Sequence, residues 1–284
     1  MTTEPLTAFD TSVLTAPDHW REIDFISDLH LQDDEPATFT AWQSFMQNTP
    51  ADAVFILGDL FEVWVGDDVI ESLSLGGRNN DTLPCKDEIS FERRCVDVLK
   101  TASQRLDIFI IHGNRDFLLS RDFEKASGTT LINDPTRLEF AGESWLLSHG
   151  DSLCLDDTDY LAFKAQVRST EWKQQFLAKP LTERQSIARL LRAQSELRKQ
   201  SGLAYADVDE AEAIKWLSDH RARTLIHGHT HKPADHVLVN SAENANQTTP
   251  LLRMVLSDWD ASATPPRTEI LRLGVNHPPR RIKA

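Results

Sequence analysis

Short apolar runs alternate with amphipathic stretches in the first half of the chain, and this alternation limits the folds open to it. Three runs, EIDFIS, AVFIL and DIFII, have the length and composition of buried strands. The stretches between them, ATFTAWQSFMQ and SFERRCVDVLKTAS, have the apolar spacing of amphipathic helices. The alternation predicts βαβ units and a parallel sheet that is covered on both faces.

The later apolar runs are separated by turn residues more than by helices. They are RLEFAG, SWLLS, RTLI and LRMVLSDW. Strands that are joined by turns favour a second, mixed or antiparallel sheet. The sequence therefore predicts an α/β protein with two sheets.

Several of the predicted strands end in a short polar turn that carries Asp, Asn or His. These residues are Asp28, His30, Asp59, Asn114, His149, His227 and His229. A single Gly-Asp pair after a strand is more often a turn or a helix cap than a ligand. Repetition at successive strand ends changes this interpretation, because open α/β sheets bind ligands outside the carboxyl ends of their strands. We expect these side chains to converge.

Two carboxylates, one amide and four imidazoles, without a thiolate, form a donor set for divalent metals. Imidazole plus carboxylate favours Mn²⁺, Fe²⁺, Zn²⁺ or Co²⁺ over Ca²⁺ or Mg²⁺. One ion seldom takes all of these side chains, whereas two ions that share a bridging carboxylate divide them evenly. The pattern therefore predicts a two-metal centre, which can clamp a phosphoryl oxygen and activate water for in-line attack.

Charge and composition exclude some classes of partner. The formal net charge of −14 repels a phosphate backbone and disfavours nucleic acid as a ligand. The first twenty residues lack the pattern of a secretory signal, and no apolar run is long enough to span a membrane. The three cysteines have no regular spacing, which favours a reducing compartment. We expect a cytoplasmic protein that is soluble or peripheral to a membrane, and no protein partner is predicted.

The segment 155–203 differs in character from its surroundings. It is helical in period with a break at Pro180, and between Tyr160 and Gln200 it has nine basic residues against three acidic ones. Its apolar side chains could equally line a groove for an apolar ligand or contact the rest of the protein. The predicted divisions are an N-terminal tail (1–21), a core (22–154 and 204–275) with a loop at 72–88, a helical cap (155–203) and a C-terminal tail (276–284).

The ordered motifs SDLH, GD, GN, SHGD and GHTH resemble those of the calcineurin-like metallophosphoesterases, and the resemblance runs from about Asp24 to Trp259. It implies a four-layer α/β/β/α sandwich with a helical cap insertion. It also implies that Asp59 bridges two metal ions. On this resemblance one ion is held by Asp28, His30, Asp59 and His229, and the other by Asp59, Asn114, His149 and His227.

Many members of that superfamily have the motif GNH where this chain has GNRD, so Arg115 replaces a histidine. A general acid is needed when the leaving group is an alkoxide, whereas a phosphate leaves without a proton. An arginine can instead brace two phosphoryl groups through bidentate hydrogen bonds. The replacement favours a pyrophosphate bond as the target.

Longer motifs, GDLFEVWVGDD, HGNRDFLL, SHGDSLCLDD and LIHGHTHKP, resemble the family of UDP-2,3-diacylglucosamine diphosphatases of lipid A synthesis. The resemblance implies a peripheral enzyme at the cytoplasmic face of the inner membrane. Such an enzyme cleaves a lipid-linked nucleotide to UMP and diacylglucosamine 1-phosphate with two divalent ions, typically manganese. The implied substrate contacts are Asn114, Arg115, Asp157, Ser195 and His227, and the implied catalytic residues among them are Asn114, Arg115 and His227. Lys199 and Gly202 depart from the family pattern, which has Asn and Lys there.

Other functions use the same ligands. A cyclic-nucleotide phosphodiesterase or a dinucleotide polyphosphate hydrolase is the nearest alternative, although Arg115 and the helical cap count against the first. A binding scaffold of the same fold would not need the complete ligand set. A nuclease is disfavoured by the negative charge.

Overall fold

A computed structural model describes residues 12–71, 89–200, 207–238 and 250–284, without the side chains of 194–200. The strands, numbered in chain order, are β1 (Ser12–Thr15), β2 (Glu22–Ile26), β3 (Ala53–Leu57), β4 (Asp107–Ile111), β5 (Thr130–Ile132), β6 (Thr136–Phe140), β7 (Glu143–Ser148), β8 (Thr224–His227), β9 (Ala234–Leu238), β10 (Leu251–Val255), β11 (Glu269–Gly274) and β12 (His277–Lys283). The helices are α1 (Pro36–Asn48), α2 (Phe91–Ala102), α3 (Arg121–Ser127), α4 (Thr158–Val167), α5 (Thr170–Leu177), α6 (Leu181–Gln200) and α7 (Glu210–Asp219).

The first sheet has the strand order β12-β11-β2-β3-β4-β5. Strands β2 to β5 are parallel, and β11 and β12 extend the sheet in antiparallel pairing. Every residue of β3 is buried, as expected for a central strand that is covered on both faces. The predicted βαβ arrangement is confirmed, since α1 links β2 to β3 and α2 links β3 to β4.

The second sheet has the order β1-β6-β7-β8-β10-β9. Its pairings are mixed: β1 with β6, β7 with β8 and β8 with β10 are parallel, whereas β6 with β7 and β9 with β10 are antiparallel. The sequence prediction of a second, mixed sheet is therefore confirmed.

Three apolar cores hold the layers together. The central core lies between the sheets and includes Phe25 and Phe55 of the first sheet with Leu147 and Ile226 of the second. The first sheet packs its other face against α1, α2 and α3, and the second packs against α7. These layers form the predicted α/β sandwich, with two sheets that are flanked by helices.

Helices α4, α5 and α6 form a helical insertion between β7 and α7, and charged contacts attach it to the rest of the fold. Arg184 of α6 is almost fully buried and donates to a carboxylate oxygen of Asp68 at 2.9 Å. Arg168, which directly follows α4, donates to the backbone oxygen of Gly113 at 2.8 Å. The helical insertion is thereby fixed over the carboxyl ends of the strands in the first sheet. The division of the chain into a core and a separate helical cap (155–203) stays a prediction.

Both terminal tails predicted from sequence need correction. Residues Ser12–Thr15 form strand β1 and pair in parallel with β6. Residues His277–Lys283 form β12 and pair with β11. Edge strands like these are only half buried, so their sequences lack the apolar runs that reveal central strands. The predicted loop at 72–88 lies outside the described residues.

In the described part of the chain, no helix is both long enough and apolar enough to cross a lipid bilayer.

Candidate metal centre

Polar residues that follow strands of both sheets meet at one edge of the sandwich. Most of the residues predicted as ligands lie in this cluster, and His231 lies there too. They are Asp28 and His30 after β2, Asp59 after β3, Asn114 after β4, His149 after β7, and His229 and His231 after β8. The facing sheets both direct the carboxyl ends of these strands to the same place, which accounts for the convergence.

The backbone is strained at many of these positions. Seven non-glycine residues in the described part of the chain have positive φ, and five of them belong to the cluster: Asp28, His30, Asp59, His229 and His231. Such conformations are unfavourable for residues with a Cβ and persist where the surrounding structure enforces them, commonly at functional sites. The strain therefore marks this cluster as a candidate functional site.

Asp28, His30 and His231 form the first ligand group, with one potential ligand atom each within 4.8 Å of the others. Nε2 of His231 lies 3.3 Å from Oδ1 of Asp28 and 3.4 Å from Nε2 of His30. The other carboxylate oxygen of Asp28 accepts hydrogen bonds from the hydroxyl of Ser27 and the backbone N–H of His229. This leaves Oδ1 facing the two imidazoles.

Asp59 lies between the first ligand group and the remaining residues. Its Oδ1 accepts a hydrogen bond from the backbone N–H of Arg115 at 2.9 Å. Its Oδ2 lies 3.9 Å from Nε2 of His30 and 3.8 Å from Nε2 of His149. Oδ2 of Asp59 thus lies between the imidazole of His30, in the first ligand group, and the imidazole of His149. A ligand that bridges two metal ions takes such a position.

Asp59, Asn114, His149 and His229 form the second ligand group. Oδ1 of Asn114 lies 3.1 Å from Nε2 of His149 and 3.3 Å from Nδ1 of His229. Nδ1 of His149 lies 2.8 Å from the carbonyl oxygen of Leu57 and donates its hydrogen to it. The proton on Nδ1 keeps the lone pair of Nε2 available for a metal.

The position of His227 corrects the sequence prediction. His227 is fully buried and its Nδ1 lies 2.8 Å from the carbonyl oxygen of Gly228, whereas the imidazoles beside Oδ1 of Asn114 are those of His149 and His229. Burial lowers the pKa of His227 to about 3, and the charges that act on it are those of Arg253 and Asp207, outside both ligand groups, and of His229. His229 therefore occupies the second group, where His227 was expected, and His231 occupies the first group, where His229 was expected.

The missed residue, His231, had a signal in the sequence. The motif GHTH spans 228–231 and contains His229 and His231 at the same spacing as Asp28 and His30. All four of these residues have positive φ. The turn after β2 and the turn after β8 therefore present every second side chain in a similar way. His227 and His229, in the overlapping string HGH, have the same spacing, so spacing alone does not distinguish the two pairs.

Charge within the site favours bound cations. Burial acts to lower the pKa of His149, but the carboxylates of Asp59, Asp151 and Asp28 outweigh burial and raise that pKa to about 9. Burial and the neighbouring His149 lower the pKa of His229 to about 4. Burial acts to raise the pKa of Asp28, and the imidazoles around it outweigh burial and hold the pKa well below its usual range. The buried carboxylate of Asp28 therefore stays ionised and attracts positive charge.

Two glycines are required by the close approach of the ligand turns. A Cβ on Gly113 would lie 2.0 Å from Oδ1 of Asp59, and one on Gly58 would lie 2.4 Å from Nδ1 of His149. Gly58 also has φ of +90°, which favours glycine. Any side chain at these positions would push Asp59 or His149 out of place.

Asp116 joins two of the ligand turns and was not singled out from sequence. Its Oδ1 accepts from the backbone N–H of Gly113 and its Oδ2 from that of Leu60, each at 2.8 Å. Burial and the charge of Asp59 raise the pKa of Asp116 to about 6. Asp116 therefore holds the turn of Asn114 against the turn of Asp59.

Comparison with known proteins identifies the family. The family model for calcineurin-like phosphoesterases matches residues 22–233, most of the chain. The chain is a calcineurin-like phosphoesterase.

Curated relatives of the phosphoesterase carry the name UDP-2,3-diacylglucosamine hydrolase. The protein of Chromobacterium violaceum is 42% identical over 246 residues, which cover 84% of this chain and 90% of the relative. The protein of Cellvibrio japonicus is 39% identical over 250 residues, which cover 84% of this chain and 95% of the relative. The protein of Escherichia coli O9:H4 is 39% identical over 239 residues, which cover 83% of this chain and 90% of the relative.

The two ligand groups of the phosphoesterase fit a pair of divalent metals. Carboxylate, amide and imidazole donors converge, and Nδ1 of His149 is occupied by a backbone carbonyl while Nε2 faces the group. Asp28, His30, Asp59 and His231 would hold one ion, and Asp59, Asn114, His149 and His229 would hold the other. This donor chemistry is typical of divalent transition metals.

A cavity of about 470 Å³ lies beside the ligand groups of the phosphoesterase, between the core and the helical insertion. Its polar lining residues, called here its polar end, are Glu62, Asn114, Arg115, Asp157, Asp159, Tyr160 and Arg192. The rest of its wall is mostly apolar and includes Trp64, Val65, Phe117, Leu118, Phe163, Val167, Trp172, Phe176 and Leu191. The cavity wall thus combines polar residues, among them Asn114 of the second ligand group, with a mostly apolar surface.

Some of the predicted substrate contacts lie in the cavity wall, and others lie outside the described part of the chain. Asn114 and Arg115 lie in the cavity wall beside the second ligand group. Asp157 is in the wall as well, and it also caps α4 by accepting from the backbone N–H of Tyr160. Ser195 and Lys199 are in α6, but their side chains lie outside the described part, as does all of Gly202.

Proposed function

We propose that the protein hydrolyses the pyrophosphate bond of UDP-2,3-diacylglucosamine and releases UMP and 2,3-diacylglucosamine 1-phosphate. The observation that carries the proposal is the junction of the second ligand group with the apolar cavity at Asn114 and Arg115. A substrate with a pyrophosphate next to two acyl chains needs such a junction. The names of the relatives support the same substrate.

The cavity suits the lipid part of this substrate. A volume of about 470 Å³ with aromatic and aliphatic walls can bury several methylene groups, and each buried methylene contributes about 0.8 kcal/mol. The helical insertion supplies one side of this wall through Phe163, Trp172, Phe176 and Leu191. We therefore assign to the helical insertion the role of a lipid-binding cap.

The polar end suits the phosphoryl groups. The guanidinium of Arg115 is largely buried, and its Nη1 lies 3.7 Å from a carboxylate oxygen of Glu62. Arg115 can donate two parallel hydrogen bonds to phosphoryl oxygens and so stabilise the charge that develops there. Diacylglucosamine 1-phosphate leaves as a stable anion, so no side chain has to protonate it.

We propose manganese as the metal at both positions, with His231 and His229 as ligands after β8. When bound, two such ions neutralise phosphoryl charge and lower the pKa of a water molecule. The chain itself orients the donors: Leu57 fixes the tautomer of His149, and the backbone of Arg115 turns Asp59 so that Oδ2 faces both groups.

We also propose peripheral association with the cytoplasmic face of the inner membrane, where the lipid substrate is found. Two features of the helical insertion support it. Leu177 and Leu190 are exposed large apolar side chains. The segment also has an excess of basic residues, which attract anionic headgroups.

The experiment that tests the proposed function is a product assay on the purified protein with UDP-2,3-diacylglucosamine. We expect UMP to form with added Mn²⁺, and formation to stop with chelator or in the Asp59→Ala variant. Diadenosine polyphosphate and a cyclic nucleotide serve as competing substrates. Faster hydrolysis of either than of the lipid substrate, at matched concentration, would assign the protein to another phosphoesterase activity.

A further inference from the structure

Glu62 lies between the first ligand group and the cavity, three residues after Asp59, and it is buried. Its two carboxylate oxygens face different partners. Oε2 lies 2.9 Å from Nδ1 of His30. Oε1 lies 3.1 Å from Nε of Arg192 in α6 and 3.7 Å from Nη1 of Arg115.

The contact at Oε2 decides which nitrogen of His30 can bind a metal. Nε2 of His30 faces Asp59 and His231, so it must carry the free lone pair if it is to hold a cation. The proton of the neutral imidazole then lies on Nδ1, 2.9 Å from the negatively charged carboxylate oxygen of Glu62. Glu62 thereby selects the tautomer and orients the ring.

The contacts at Oε1 hold two arginines on the cavity wall. Arg115 and Arg192 both line the cavity, and each carries a full positive charge. A shared carboxylate offsets their mutual repulsion and keeps the guanidinium groups at the polar end. Since Arg192 belongs to α6, the same carboxylate also connects the helical insertion to the turn that bears Asp59.

We infer that Glu62 is a positioning residue with two separable roles, one through His30 on metal binding and one through Arg115 and Arg192 on the phosphoryl end of the substrate. The inference rests on the proposed two-metal phosphoesterase function and deepens it. A carboxylate is needed because both oxygens act as acceptors. An amide has one acceptor oxygen and one donor group, so glutamine can satisfy one side only.

The test measures metal affinity without substrate, and then KM and kcat with UDP-2,3-diacylglucosamine. Mn²⁺ is titrated calorimetrically into the full-length metal-free protein, and a melting curve of each variant shows that it is folded. The variants are Glu62→Ala, Glu62→Gln and Arg192→Ala. Glu22→Gln is the matched control, because Glu22 also contacts one histidine and two arginines, His277, Arg272 and Arg280, at the other end of β2.

We expect Glu62→Ala to weaken Mn²⁺ binding by about ten- to a hundred-fold, as is usual when the partner of a metal-ligating histidine is removed, and to raise KM. Glu62→Gln should lose at least one of the two properties. Arg192→Ala should raise KM and leave Mn²⁺ affinity within about two-fold of the parent, since its contact is to the other oxygen. Glu22→Gln should change neither quantity.

Parental Mn²⁺ affinity in Glu62→Ala, or parental values of both quantities in Glu62→Gln, would overturn the inference. So would an equal loss of Mn²⁺ affinity in Arg192→Ala and Glu62→Ala, because the two roles would then not be separable. The metal titration does not depend on the substrate. If the parent failed to hydrolyse UDP-2,3-diacylglucosamine but Glu62→Ala still lost Mn²⁺ affinity, the proposed substrate would be wrong and the role of Glu62 on His30 would stand.

Discussion

The hydroxyl of Tyr160 lies 2.5 Å from Oδ2 of Asp151, and this contact ties α4 to the turn that carries His149. Burial and the charge of Asp151 raise the pKa of Tyr160, so the hydroxyl stays protonated and donates. Nζ of Lys164 lies 2.9 Å from the other oxygen of Asp151. The ring of Tyr160 stacks on His229 with the centroids 6.0 Å apart. The helical insertion is therefore anchored at the metal centre itself.

Replacing Tyr160 with Phe should remove this donor while the ring stays over His229. The buried carboxylate of Asp151 then loses one hydrogen bond but keeps Lys164. We expect the free energy of unfolding to fall by about 1 to 3 kcal/mol. Urea denaturation measures it, with Thr101→Ala, which removes an exposed hydroxyl from α2, as the control. A loss no larger than that of the control would show that the contact does not anchor the insertion.

His231 and His227 make a paired test of the ligand assignment. His231→Ala should lose most of the metal at the first ligand group, because His231 is one of its three donors. His227→Ala should keep its metal, since His231 lies with Asp28 and His30 in the first ligand group and His229 lies beside Asn114 in the second. Elemental analysis of both purified variants gives the metal content per chain. The reverse result would restore the assignment that was made from the sequence.

Metal binding should release a proton, with a defined pH dependence. The carboxylates around His149 raise its pKa to about 9 against the effect of burial, so His149 is protonated at neutral pH in the metal-free protein. A metal-ligating histidine has to lose that proton, so affinity for Mn²⁺ should rise as the pH increases from about 6.5 to 8. Calorimetry in buffers of different ionisation enthalpy counts the protons released. Affinity that is constant with pH would contradict the protonated state of His149.

Arg115 should act on phosphoryl charge in the transition state. Arg115→Ala should lower kcat by about 10² to 10³ by analogy with loss of an oxyanion donor, and Arg115→Lys should recover part of it. Metal content should stay normal, because the contact of Arg115 with Asp59 is made by its backbone. Steady-state kinetics with elemental analysis checks both points. A faster Arg115→His variant would show that the leaving group needs a proton and that the substrate class is wrong.

Leu190 and Leu191 are neighbours in α6 that test the role of the cavity. Leu191 is 38% exposed and lines the cavity, whereas Leu190 is 67% exposed and is not part of the cavity wall. Leu191→Ser should raise KM for the diacylated substrate by about ten-fold, because an apolar contact with an acyl chain is lost. Leu190→Ser should not change it when the substrate is dispersed in detergent without a bilayer, and neither variant should affect a small phosphodiester. Equal effects of both variants on the lipid substrate would argue against acyl chains in the cavity.

Much of the fold could be predicted from the sequence, because the central strands are continuous apolar runs. β3 is buried along its whole length, and a run such as AVFIL has few other places in a folded protein. The short edge strands β1 and β12 could not be predicted in this way. Their residues alternate between half-buried and exposed, and their pairing depends on partners far away in the chain.

Most of the candidate site could also be predicted, because its residues follow strands that end at one edge of the sheets. Asp28, Asp59 and His149 were identified in this way from local sequence. The string HGHTH was ambiguous, since His227, His229 and His231 are equally spaced and equally suited to metal. Only the backbone conformation, with positive φ at His229 and His231, decides which imidazoles enter the ligand groups.

The sequence by itself thus determined the kinds of donor and the strands that deliver them, because strand length and side-chain chemistry are local properties. The tertiary structure decided how the donors are divided and supported. The two oxygens of Glu62 serve His30 on one side and Arg192 of α6 on the other, across 130 residues of chain. No local pattern encodes that relationship, because it exists only when the helical insertion is packed over the ends of the strands.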